Sequence, residues 1–174
     1  MKTLSIGEVQ RLFETTKLDR THALWVVLAT TGLRLGEALG LMWNDVDLQL
    51  GKVTVRRALQ WQRGVGPVLV EPKTKQSRRT VYLARGSVAA LGEHRRAQAQ
   101  DRLIAGPSWN SSHDLVFAMP DGRPMQGSNL NRIFHRELEF VSHLKILFSG
   151  ASEHTVVRTS GYISISPILM KFKN

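Results

Sequence analysis

Cysteine is absent from the 174 residues, which excludes structural disulfides and thiolate metal sites. Proline is scarce, with six residues, and an apolar fraction of 42% fits a folded chain with a sizeable core rather than a disordered one. No stretch approaches the roughly 18 consecutive apolar residues that a membrane span needs. The opening, Met1 to Glu8, turns polar at once and lacks the apolar run of a secretory signal. A single-domain, cytoplasmic protein without membrane association is therefore the expectation. Acid is the other shortage. Fourteen Asp and Glu face 24 Lys and Arg, a formal net charge of +10 and a pI near 10.7. The excess is concentrated between Lys52 and Arg102, where 12 Lys and Arg face Glu71, Glu93 and Asp101. Such a balance points to a polyanionic partner, nucleic acid before others.

Against these absences, hydrophobic periodicity is well developed over the first 140 residues. Ser5 followed by Glu8 spells a capping box, and Val9, Leu12 and Phe13 give the helix behind it an apolar face. His22 to Thr31 is apolar nearly all round, as a buried helix would be. Gly32 is placed to end it, and Leu33 to Met42 reads as the next helix. Residues 52–56, 68–70 and 80–83 read as three short strands of an antiparallel meander. Helical spacing returns over 87–104. A buried strand follows at 115–118, then a tight turn at 120–124, and a helix over 127–141 with Leu130, Ile133, Phe134 and Leu138 inward. From Leu144 onward no period holds. The fold class expected is mainly α with a small antiparallel three-stranded sheet (α+β).

The most informative stretch runs from Thr31 to Leu48, TGLRLGEALGLMWNDVDL. It sets Arg34 just past a glycine at the mouth of a helix, with Glu37 three residues on. At that spacing the two share a face and the carboxylate can brace the guanidinium. A braced arginine suits a phosphate, because its planar fork offers two parallel donors. A second basic segment, Glu71 to Leu83 (EPKTKQSRRTVYL), places Lys73, Lys75, Arg78 and Arg79 around a predicted turn. A third, Asp114 to Phe134, combines a short apolar strand, an Asp-Gly turn and a helix carrying Arg132.

The first stretch resembles the first arginine box of the tyrosine recombinases, the phage integrase family. The second is similar to the hairpin that carries that family's lysine, and the third to the strand, turn and helix that precede its second box. The three occur in family order and cover about residues 3 to 138. The resemblance implies DNA integration or site-specific recombination. In that chemistry a tyrosine opens a phosphodiester and forms a 3′-phosphotyrosyl link. Arg34 would be the first phosphate-gripping arginine and Glu37 its support. Lys75, placed at the turn, would be the lysine that protonates the leaving oxygen, with Lys73 as second candidate. Lys73, Arg78, Arg79 and Arg132 would contact DNA. The partner implied is double-stranded DNA, on which the family assembles as a tetramer. No cofactor is implied.

Two parts of the family pattern do not match. Its second box, His-x-x-Arg, is absent: His143 is followed at +3 by Ile146, and His154 and Arg158 are four apart. Tyr162, the only tyrosine beyond the hairpin segment, lies four residues after Arg158, too close for the family's nucleophile. The separate core-binding domain that family members carry ahead of this region is not in the sequence either. The expectation is a partial integrase-like catalytic domain over residues 1–140 and a non-matching, frameshifted or poorly ordered tail over 141–174, a truncated remnant without cleavage activity. The rival from another class is a non-catalytic DNA-binding module that occupies recombination sites. Other candidates read as structure. Asp45 and Asp47 suit a helix exit and turn better than a magnesium site, and His22, His94 and His135 stand at no ligand spacing. Trp25 belongs to the core, and the pairs Arg56-Arg57 and Arg95-Arg96 read as solvated or phosphate-facing.

Overall fold

The computed structural model describes residues 5–71, 78–130 and 132–133. Helix α1 (Ile6–Thr15) opens with the expected capping box. The Ser5 amide donates to Glu8 Oε2 at 2.7 Å and the Glu8 amide to Ser5 Oγ at 3.3 Å, which satisfies two donors that the first turn leaves free. Helix α2 (His22–Thr31) buries every side chain from Ala23 to Leu28. Gly32 ends it at φ 65°, with its N–H on Leu28 O at 3.2 Å, in the left-handed region that costs glycine least.

Helix α3 spans only Leu35–Leu39, shorter than the 33–42 that the apolar spacing predicts. Arg34 is extended, and beyond Gly40 the chain is drawn into another pairing. The Val116 amide donates to Leu41 O at 2.9 Å, and Met42 bridges Leu115. The residues that would continue the helix instead satisfy their backbone groups on a segment some 70 positions away. A short 3-10 turn, Trp43–Asp45, follows.

The sheet departs from the expected meander. It has three antiparallel strands in the order β1-β2-β5, formed by β1 (Val46–Asp47), β2 (Lys52–Val55) and β5 (Arg79–Tyr82). Strand β4 (Gly66–Val70) does not join it. It pairs with β3 (Ala58–Gln62) in a separate two-stranded hairpin, from Ala58↔Val70 to Gln62↔Gly66. The alternation Leu59, Gln60, Trp61, Gln62 carried the signal for β3, and a strand directly ahead of a Gly-rich turn takes the nearest antiparallel partner. Residues 115–118 are buried as expected, but as two isolated bridges rather than a strand.

Close approach seats the hairpin. A Cβ added at Gly40 would stand 3.0 Å from both Ala58 Cα and Leu59 N, and one at Gly36 would stand 3.0 Å from Leu59 O. These two glycines, one helical turn apart, let the β3 backbone lie directly on α3. Across the molecule, α4 (Arg85–Ala105) packs on α2, where Ser87 Oγ meets Thr30 Oγ1 at 2.8 Å. Gln98 on α4 accepts from Trp43 Nε1 at 2.6 Å and donates to Leu115 O and Val116 O at 3.0 and 3.1 Å. Asp101 receives both terminal nitrogens of Arg20. One core holds these elements, with Leu24, Val27, Leu33, Leu41, Val53, Val55, Leu91 and Phe117 almost wholly enclosed.

Residues 127–130 begin the last predicted helix, with Leu130 in the core and Ile133 packed against it. Its continuation and the 141–174 segment lie outside the described residues. No helix among the described residues is long and apolar enough to cross a membrane.

Gly40→Ala tests the close approach. The added methyl meets backbone, which cannot rotate away, so we expect a loss of about 1–3 kcal/mol. A urea melt should show a lower midpoint with an unchanged slope.

Candidate functional site

Arg34 stands at the N-terminal end of α3, outside its first turn, and Glu37 occupies the third helical position. Glu37 Oε2 accepts the Arg34 backbone N–H at 2.9 Å, so the carboxylate caps the helix. Its Oε1 also receives Arg34 Nη1 at 3.2 Å. The brace read from the sequence is therefore present. It is a single, long side-chain contact.

The stronger partner comes from the sheet. Arg79, the first residue of β5, gives Nη1 to Glu37 Oε1 at 3.1 Å and Nη2 to Oε2 at 2.8 Å. This is the two-pronged geometry of a strong arginine–carboxylate pair. Strand alternation explains the direction. Thr80 and Tyr82 are exposed while Arg79 and Val81 are half-buried, and Arg79 sits opposite Val55 in the β2–β5 register. The family resemblance implies a DNA-facing Arg79; its fork instead closes on a residue 42 positions earlier, which no local pattern reveals. The one available signal was Glu37 itself, a carboxylate in an apolar helix with more acceptor capacity than one neighbour fills.

The three side chains differ sharply in exposure. Glu37 retains 10%, Arg79 36% and Arg34 69% of its side-chain surface. Burial opposes ionisation of Glu37, but hydrogen bonds from Arg79 and the Arg34 backbone, and the charges of both guanidinium groups, outweigh it and hold its pKa below the ordinary value. The same carboxylate raises the pKa of Arg79, against a smaller opposing effect of burial. One negative and two positive charges leave an excess of one, carried outward on Arg34.

The other candidates are dispersed. Arg78 is paired with Glu71 at 2.6 Å, both exposed, and Arg132 is exposed on the last described helical residues. Lys73 and Lys75 lie outside the described residues, as do His154, Arg158 and Tyr162. Asp45 is buried. Its Oδ2 accepts from Met42 N at 3.0 Å and Arg57 Nη1 at 2.6 Å, while Arg56 Nε lies 3.3 Å from Oδ1 without hydrogen-bond alignment. Arg57 is thus engaged in structure rather than solvated. Asp47 Oδ1 caps the turn at Gln49 and Leu50. His94 is held against Val116 O at 2.7 Å between Trp43 and Phe117. Desolvation lowers its pKa, so it stays neutral and structural.

A family model described as "Phage integrase family" matches residues 2–143 of this chain. The chain belongs to the phage integrase family. A tyrosine recombinase XerC-like protein of Caldanaerobacter subterraneus is 29% identical over 189 aligned positions, covering 95% of this chain and 48% of that protein. An integrase of Streptomyces ambofaciens is 31% identical, covering 79% of this chain and 36% of its own length. This chain thus spans half or less of these curated relatives. Among solved structures, XerA recombinase superposes with a TM-score of 0.61 at 26% identity, over 81% of this chain and 42% of that one. The Tn1549 transposon integrase in complex with circular intermediate DNA reaches 0.67 at 20% identity, over 82% and 46%, and shares the fold. The mainly helical architecture with its small antiparallel sheet is that of integrase-family catalytic domains.

The pH dependence of the Glu37 cluster follows from its sign. A carboxyl whose folded pKa is depressed stabilises the fold fully above its unfolded value, near 4.3, and loses that contribution as pH falls through the folded value. Urea midpoints should therefore drop below about pH 4.3 in the native chain. Glu37→Gln should lose this component and be less stable at pH 7 by about 1–2 kcal/mol, the low end for hydrogen bonds to charged groups because both arginines are partly exposed.

Proposed function

We propose that this chain grips duplex DNA by its phosphates, as the portion of an integrase catalytic domain that carries the first arginine. The observation that carries the reading is the exposed Arg34 guanidinium held over a buried, ionised Glu37. The placement suits an anion: four of the five donors of the guanidinium have no partner among the described residues, and the Glu37–Arg79 pair behind it sums to zero, which leaves the charge of Arg34 as the excess. Membership of the phage integrase family and the DNA held by the Tn1549 integrase structure support it.

In this reading Arg34 offsets the negative charge that builds on the non-bridging oxygens when a phosphodiester is opened. In the family's chemistry a lysine gives a proton to the departing 5′ oxygen as the phosphorus–oxygen bond breaks, and Lys75, or Lys73 in its place, holds that position in this chain. The bond that forms in the family's chemistry joins phosphorus to a tyrosine oxygen. Arg78 and Arg132 add sequence-independent phosphate contacts. The sequence holds no His-x-x-Arg, and Tyr162 is the only tyrosine after the hairpin. We therefore assign this chain DNA binding without completed strand cleavage, with residues 1–140 as the integrase-like part and 141–174 as a segment outside the pattern. A cytoplasmic location belongs to the same reading, while the tetramer on DNA is the assembly of the parent family.

Binding to a 30-base-pair duplex, followed by fluorescence anisotropy, should weaken steeply with salt, and Arg34→Ala should reduce the log–log slope by about 1. A flat salt dependence would sink the phosphate reading. Incubation with a nicked suicide duplex should trap no covalent protein–DNA adduct. An adduct that disappears in Tyr162→Phe would overturn the assignment of binding without cleavage.

A further inference from the structure

We propose that Arg79 is a positioning residue: by occupying both carboxylate oxygens of Glu37, it keeps the Arg34 guanidinium outward and free to receive a phosphate. The inference rests on the reading of Arg34 as a phosphate-binding arginine and changes the role of Arg79 from a DNA contact to the group that makes the contact of Arg34 possible.

Arg34 and Glu37 alone would pair with each other. A guanidinium three residues from a carboxylate at a helix start can close on it with two parallel hydrogen bonds. That closure would spend the fork that a phosphate needs and leave a neutral pair. The structure shows another arrangement. Arg79 Nη1 and Nη2 take Oε1 and Oε2 at 3.1 and 2.8 Å, so the fork-shaped site on Glu37 is filled from the sheet. Arg34 keeps one side-chain contact, at 3.2 Å, and stays 69% exposed.

Charge gives the same result. With Arg79 the cluster carries two positive charges and one negative, an excess of one, and without it the cluster is neutral. Arg79 is well suited to this work because it does not wander. It is half-buried on β5 and paired through its backbone register with Val55 on the central strand. A phosphate contact, by contrast, would require Arg79 to abandon two hydrogen bonds to a buried carboxylate, leaving that charge exposed to a large desolvation cost.

Charge-restoring double substitution separates the two roles. Phenylglyoxal modification of Arg34, quantified by peptide mass spectrometry on the free protein, reports whether its fork is open. Arg79→Met should protect Arg34 several-fold and weaken duplex binding about tenfold, the loss of one charge-assisted contact. Arg79→Met combined with Glu37→Gln should restore both, because the competing carboxylate charge is gone. Unchanged Arg34 labelling in Arg79→Met, with no recovery of affinity in the double variant, would overturn the proposal and return Arg79 to the DNA surface. If Arg79→Met melts below the assay temperature, Arg79→Lys supplies the test. A single ammonium leaves one oxygen open, so Arg34 should be protected to an intermediate degree, and unaltered labelling would again reject the idea. Should labelling follow the prediction while the native chain binds duplex without salt dependence, the positioning role stands and the DNA reading falls.

Discussion

A carboxylate enclosed between two guanidinium groups ties the helical part of this molecule to its sheet. Glu37 caps α3 through the Arg34 amide, braces the Arg34 side chain, and anchors β5 through Arg79. Burying a carboxylate is costly, and only a full set of charged donors offsets the cost. The consequence is geometric. Helix α3 cannot rotate, and β5 cannot slip along β2, without breaking the two-pronged Arg79–Glu37 pair. Arg34, the side chain of functional interest, owes its fixed origin to that constraint.

Around this point the packing is close enough to limit alternatives. Gly36 and Gly40 let β3 lie directly on α3, so a five-residue helix is held by backbone contact along its length and by an ion cluster at its start. A helix so short would not persist in water by itself. Behind it, the Trp43–Gln98–Leu115/Val116 hydrogen bonds and the His94 contact lock the helix exit to α4. These polar links lie among buried apolar residues, where satisfied hydrogen bonds specify one arrangement over others. The position of Arg34 is thus determined by elements spread from residue 34 to residue 116.

Much of this was readable from local pattern. Ser5 and Glu8 announced the start of α1, the continuous apolar run announced α2, and Gly32 announced its end, because each depends on atoms within one or two turns. The order of the three family-like segments identified the family before any fold was described. The strand pairing was less legible. Residues 68–70 follow β3 after five residues and precede β5 by eight, and alternation alone does not say which partner a strand will choose. The length of α3 was also hidden, because its continuation was cut short by a bridge to Leu115 that no local rule anticipates.

By itself, the amino-acid order determined the family, the basic character, the helix caps and the candidacy of Arg34, since these rest on residue type and short spacing. Only the tertiary structure decided what Arg34 is free to do. The backbone register of β5 against β2 delivers Arg79 to Glu37 across 42 residues, and an ion pair's partner is set by which charges the fold brings within about 3 Å, not by which stand nearest in the chain.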